Sequence, residues 1–256
     1  MQSEAAMLEL VTIPCLKDNY AYLLHDAAAN HTTLIDAPEA EPILTALSAK
    51  GWTLNQILLT HHHSDHIQAV PALTAATNAP VLGAAADAHR LPPLARQLAE
   101  GDTVAVGSET ARVIDVSGHT MGHLAFVLPG YAFTADSLMA AGCGRLLEGA
   151  PAVMWTSLSK LAALPPDTLI CSGHEYTTAN LAFAATIDPE NRTLQTRIAD
   201  TARARAAHQP TVPSTLALEL ATNPFLRAPL LKAQIGLPNA TDAEAFAEIR
   251  ARKDKF

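Results

Sequence analysis

Cysteine is scarce in this chain of 256 residues: Cys15, Cys143 and Cys171 are the only three. They are odd in number, far apart, and none belongs to a C-x-x-C pair, so neither a disulfide framework nor a cysteine-based zinc site is indicated. A reducing cytoplasm is the expected setting. Basic residues are in the minority, 17 Lys and Arg against 25 Asp and Glu. The resulting charge of −8 opposes general nucleic-acid binding, which needs a basic surface to displace counterions. No apolar run approaches the ~20 residues of a membrane span. Met1–Ala6 shows neither a basic n-region nor an apolar h-region, so no secretory signal is expected. Repeats and low-complexity tracts are absent as well.

What remains is ordinary globular material, 49% hydrophobic and 16% charged, long enough to hide about three quarters of its unfolded surface in a core. One stretch stands out: Thr60-His61-His62-His63-Ser64-Asp65-His66. On a helix, positions 61, 63, 65 and 66 would point roughly 0, 200, 40 and 140 degrees around the axis. On a strand His66 would face away from His61 and His63. The four side chains converge only if the chain leaves the strand read at 55–59, turns, and enters a helix. Loops of that kind are where α/β folds keep their chemistry.

Neutral imidazoles and a carboxylate form a ligand set suited to zinc, manganese or iron. Four such groups exceed the three protein ligands of one open catalytic ion, which points to two ions. Further ligands are expected where a short apolar strand meets a small-residue turn. Gly118-His119-Thr120, Ala135-Asp136-Ser137 and Gly173-His174-Glu175 all fit. The expected assignment puts His61, His63 and His119 on one ion and Asp65, His66 and His174 on the other. Asp136 would bridge them with its two acceptor oxygens. A metal ion lowers the pKa of bound water to about 7, so no Ser or Cys nucleophile is required. His62 is expected to point away from the ligands, and His123 is a candidate for a partner behind them. His25, His31, His89 and His208 read as surface or structural residues.

Short strands are expected at 8–13, 20–25, 32–36, 55–59, 80–82, 102–106, 112–116, 123–128, 131–134 and 168–171, with a helix at 40–50 closed by Gly51 and another from the metal loop to about 76. After Glu175 the pattern turns helical: 176–208 with a start at Asp188-Pro189, then 213–222 and 241–253. This divides the chain into a sheet-based domain carrying the ligands, residues 1–174, and a helical domain, residues 175–256.

The four ligand motifs, T-H-H-H-S-D-H, G-H-T, A-D-S and G-H, resemble those of the metallo-β-lactamase superfamily. Longer stretches resemble the glyoxalase II family of hydroxyacylglutathione hydrolases: K-D-N-Y-A-Y-L-L (17–24), A-G-C-G-R (141–145), S-G-H-E-Y-T (172–177), N-P-F-L-R (223–227) and R-A-R-K-D-K-F (250–256). The resemblance implies an α/β (α+β) four-layer αββα sandwich with a C-terminal helical domain and two divalent ions per chain, zinc first, with iron or manganese as alternatives. It implies hydrolysis of S-D-lactoylglutathione and related 2-hydroxyacyl thioesters. Asp65 and Asp136 would be catalytic, and Arg145, Tyr176, Arg250 and Lys253 would hold glutathione. The residues are compatible with that role, because glutathione carries two carboxylates and an acidic protein needs local cations to meet them. Leu147 departs from the family, which often has an aromatic ring there. A glutathione thioester is therefore the expected small-molecule partner, with no nucleic acid, no membrane and a monomeric chain. The alternatives are a single-iron glutathione persulfide dioxygenase and a metal-binding module without turnover.

Overall fold

Short stretches rich in Val, Ile, Leu and Tyr, cut by turn residues, make the early chain a sheet former. The computed structural model describes residues 8–256; the reading of Met1–Ala6 lies outside the described residues. Two units are present. The first comprises Met1–Asp115 and Gly122–Leu128, the second Val116–Met121 and Pro129–Phe256.

In the first unit, β1 (Glu9–Cys15), β2 (Asn19–Asp26) and β3 (His31–Ile35) run antiparallel. The sheet continues in parallel through β4 (Leu54–Leu58), β5 (Val81–Ala84) and β6 (Arg96–Leu98). Strand β2 is buried along its whole length, which explains its continuous run of apolar residues between Tyr20 and Leu24. Helix α1 (Ala40–Lys50) buries Ile43 and Leu47 and stops at Gly51, whose φ of +66° suits glycine. Each fully buried Leu or Ile contributes about 1.5–3 kcal/mol. The helix expected after the metal loop is two pieces, α2 (Ser64–Ile67) and α3 (Val70–Thr77). Pro71 has no N–H to continue the first piece and sits instead in the first turn of the second. Strands β7 (Thr103–Val106), β8 (Glu109–Asp115) and β9 (Leu124–Leu128) form an antiparallel set, with alternating burial along β7.

In the second unit β10 (Tyr131–Ala135) lies parallel to β13 (Leu169–Ser172), and β13 pairs with the short β14 (Ser214–Thr215). A tight hairpin, β11 (Leu138–Met139) with β12 (Gly142–Cys143), follows β10. Helix α4 (Pro151–Ala162) lies in a stretch to which the sequence reading assigned no element. Residues 176–208 are two helices, as the start expected within them implies, α5 (Thr177–Ile187) and α6 (Arg192–Ala206). The second starts at Asn191, not Asp188: Asn191 Oδ1 accepts the Leu194 N–H at 3.1 Å. Asp188 instead accepts from Arg227 Nε at 2.9 Å, a partner distant in sequence. Helices α7 (Leu216–Thr222), α8 (Ala228–Leu231) and α9 (Asp242–Lys253) complete the chain. Thr241 and Glu244 form a capping box at the start of α9. Phe225 packs against both Phe183 and Phe246, at 6.1 and 5.8 Å between ring centres.

Candidate metal centre

Both units present candidate ligands at the C-terminal ends of a parallel strand pair, the usual place for chemistry in α/β sheets. In the first unit the pair is β3 and β4, where the Asp36 N–H donates to Leu58 O at 3.0 Å. Beyond β4 the chain turns through His61–His63 into α2, as the geometry of the seven-residue stretch requires. His61 Nδ1 lies 3.0 Å from Thr60 Oγ1, so Nε2 is the nitrogen turned to His63. His61 Nε2 and His63 Nδ1 are 3.1 Å apart. Two nitrogens bound to one tetrahedral ion at about 2.0–2.1 Å sit roughly 3.3 Å apart, so this spacing suits two ligands of one cation.

His66 turns Nδ1 to Asp36 Oδ2 at 2.9 Å and Nε2 toward Asp65 Oδ2 at 3.7 Å. Asp36 also accepts the Thr60 N–H and hydroxyl, both at 2.8 Å. One buried carboxylate thus fixes the tautomer of His66 and the entry to the loop. The sequence reading passed over Asp36, although it ends an apolar strand just as Asp136 does; that shared context could have found it. Asn19 was missed too, and had no local signal. Its Nδ2 donates to Asp65 Oδ2 at 2.9 Å and to Asp65 O at 3.0 Å. His62 points to Asp87, with Nδ1 at 3.0 Å from Oδ2. His123 is buried and stacks on His61 at 4.6 Å. His25 is structural, bonded to Thr32 and stacked on Trp52.

In the second unit the strand pair is β10 and β13, with Ala135 beside Ser172. These neighbouring ends carry Asp136 and His174. His174 Nε2 lies 3.3 Å from Asp136 Oδ2, and His119 Nε2 lies 3.6 Å from the same oxygen. Each separation suits two ligands of a common ion. His119 Nδ1 is engaged by Arg145 O at 2.7 Å, so Nε2 is the nitrogen turned to Asp136. All three residues are buried. Gly144 is required here, because a Cβ at that position would sit 2.0 Å from Asp136 O. The donor set and its spacings in each unit fit divalent metal ions.

The expected glutathione-holding cations gather around α9. Arg145 Nε and Arg250 Nη2 both approach Asp254 Oδ1, at 3.7 and 2.9 Å. Arg145 is well exposed, whereas Arg250 is only 5% exposed and donates through Nη1 to Cys143 O at 3.1 Å. Lys253 donates to Ala179 O at 3.2 Å and lies over the Phe183 and Phe256 rings. Burial, and then the charge of Arg250, pull its pKa below the usual lysine value. Tyr176 stacks on His174 at 4.6 Å, with the rings 4° from parallel. Cys143 is buried, which pushes its thiol up to about 11 despite Arg250 nearby, so it stays a neutral packing residue. Leu147 is exposed, and its N–H donates to His119 O at 3.3 Å.

Comparison with known proteins separates class from kind. The model of the Metallo-beta-lactamase superfamily matches residues 20–174, and that of the Hydroxyacylglutathione hydrolase C-terminus matches residues 175–256. The BLEG-1 B3 metallo-beta-lactamase shares the fold, with a TM-score of 0.67 at 22% identity, covering 85% of this chain and 99% of its own. TTHA1623, solved in a di-iron-bound form, gives 0.62 at 28% identity, covering 85% and 100%. The fold is thus the mixed α/β metallo-β-lactamase fold, followed by a helical C-terminal region.

Over 253 residues the chain is 65% identical to the hydroxyacylglutathione hydrolase of Fuscovulum blasticum and 62% identical to that of Cereibacter sphaeroides strain ATCC 17025, in each case covering 97% of this chain and 99% of the relative. The chain belongs to the hydroxyacylglutathione hydrolases, thioester hydrolases of the metallo-β-lactamase superfamily. This favours hydrolysis over the persulfide dioxygenase alternative.

Proposed function

We propose that this enzyme hydrolyses S-(2-hydroxyacyl)glutathione thioesters, chiefly S-D-lactoylglutathione, to glutathione and D-lactate. Membership of the family supports the reaction class. The observation that carries the site is the convergence of His119 and His174 on one oxygen of Asp136. His61, His63 and His119 would hold one divalent ion, and Asp65, His66 and His174 the other. Asp136 would serve both. Zinc is the first choice, since imidazole and carboxylate also accept iron and manganese. Bound there, such ions polarise a carbonyl and make water acidic enough to attack near neutral pH.

The chain's own groups do the rest. Asp65, held by two bonds from Asn19, is placed to orient the attacking water and take its proton. Water oxygen adds to the acyl carbon, the C–S bond breaks, and the sulfur leaves as a thiolate that is then protonated. Arg145, Lys253 and Tyr176 would hold the glutathione carboxylates and backbone. Arg250 would join them through Nη2, which already meets the carboxylate of Asp254, while Nη1 keeps Cys143 in place. We assign residues 1–174 to catalysis and 175–256 to glutathione binding, in a cytoplasmic monomer. Among the described residues no helix is long and apolar enough to cross a membrane, and all three cysteines are free.

The test is lactoylglutathione hydrolysis by the purified chain, with metal analysis and an oxygen electrode alongside. Turnover without oxygen uptake, lost on chelation, is expected. Full-rate turnover by the metal-depleted protein would overturn the reading, and so would one iron per chain with oxygen consumption.

A further inference from the structure

The hairpin Leu138–Cys143 lies between Asp136 and Arg145, and buried side chains from the helical region hold its backbone. Asn180 Nδ2 donates to Ala140 O at 3.1 Å. Asn223 Nδ2 donates to Met139 O at 3.2 Å and to Gly142 O at 2.9 Å. Arg250 Nη1 donates to Cys143 O at 3.1 Å. The one N–H in this set, that of Ala141, donates to Glu219 Oε2 at 2.8 Å. Ala141 has φ +55°, a conformation disfavoured for a residue with a Cβ. A specific partner is needed to keep it there.

Glu219 is the hub of this arrangement. It is fully buried, and its Oε1 accepts from Ser214 Oγ at 2.5 Å and from Arg197 Nη2, also at 2.5 Å. Oε2 accepts from Asn223 Nδ2 at 3.1 Å as well as from Ala141. Arg197, itself buried, uses Nη1 on Thr222 Oγ1 at 2.6 Å. A buried carboxylate with one charged partner and several hydrogen bonds is satisfied, and therefore stiff. The hairpin it grips leads directly to two of the three expected ligands of this unit, Asp136 and His119. Gly144 N–H donates to Ser137 O at 3.2 Å, and Arg145 O accepts from His119 Nδ1 at 2.7 Å.

We infer that Glu219 is a positioning residue for the metal site: through Ala141 and the hairpin it sets the orientation of His119 and the backbone beside Asp136. The helical region thereby shapes the metal geometry as well as holding substrate. This rests on His119 and Asp136 being metal ligands.

The probe is Zn2+ on the full chain, competed off by a chromophoric chelator, with amide exchange followed over residues 136–145. Glu219→Gln should weaken zinc retention about 10-fold or more, as loss of a group that orients a ligand does. The 136–145 amides should exchange faster. kcat should fall while KM stays within about two-fold. A role in stability alone would lower Tm but leave zinc retention and hairpin exchange unchanged below the transition, and that result overturns the inference. Asn180→Ala, which removes only the Ala140 bond, covers the case in which Glu219→Gln does not fold. It should move zinc retention and hairpin exchange in the same direction by less, and wild-type values for both would overturn the inference. A wild-type chain that retains no zinc and no other divalent ion would instead sink the functional reading.

Discussion

Asp36 Oδ2 lies 2.9 Å from His66 Nδ1 and 2.8 Å from the Thr60 hydroxyl, so one buried carboxylate orients two neighbours of the metal loop. Asp36→Ala should therefore weaken metal binding by about 10–100-fold without touching an ion. Chelator competition measures this directly. Unchanged affinity would mean that the loop holds its shape without Asp36.

Removing a ligand should be harsher. Asp136→Ala or His66→Ala should reduce kcat by about 10³-fold or more, since several kcal/mol of charge stabilisation are lost with the ion. Much of the secondary structure should survive, as read by circular dichroism. Substantial turnover in Asp136→Ala would contradict its assignment as the shared ligand.

Asp254 draws Arg145 and Arg250 together and competes with any substrate carboxylate for them. Asp254→Asn should lower KM for the glutathione thioester by about two- to five-fold, the scale of a partly exposed ion pair, with kcat little changed. Lys253→Ala should raise KM instead. Steady-state kinetics on the two variants, read in opposite directions, check the cation cluster; a raised KM in Asp254→Asn would refute the competition.

Gly144→Ala places a methyl carbon against Asp136 O, where 2.0 Å is available. Overpacking of this kind costs about 1–3 kcal/mol. The strain falls on the ligand backbone, so a lower Tm should come with weaker metal binding. A drop in Tm alone would separate the turn from the site.

Acid stability offers a check far from the site. The Ser108 hydroxyl and N–H, with the Ala29 and Ala28 N–H groups, hold the Asp26 carboxyl down to about 2 from 3.8. A lowered native pKa means that the unfolded chain binds more protons in that window. The stabilisation is present above 3.8 and is lost as pH falls toward 2. Asp26→Asn should therefore be less stable than wild type at neutral pH, with the gap closing between about pH 4 and 2 in denaturant titrations. A constant gap would mean that the bonds to Asp26 do not depend on its charge.

The sequence by itself determined which residues could bind metal and where strands give way to helices. Those signals are local: H-x-H-x-D-H in one loop, a small-residue turn after a short apolar run, Gly51 at a helix end, Thr241 with Glu244 at a helix start. Short-range rules also explain the errors. Pro71 split one expected helix, and Asn191 displaced Asp188 as a cap because Asp188 had a partner at Arg227. Tertiary structure alone decided the rest. The partnerships of Asp36 with His66, Asn19 with Asp65 and Glu219 with Ala141 join residues 30, 46 and 78 positions apart. It also buried Arg250, an expected glutathione contact, and set its Nη1 on Cys143 O. A side chain's type can be read from sequence, but its partner is set by which distant backbone the folded chain brings beside it.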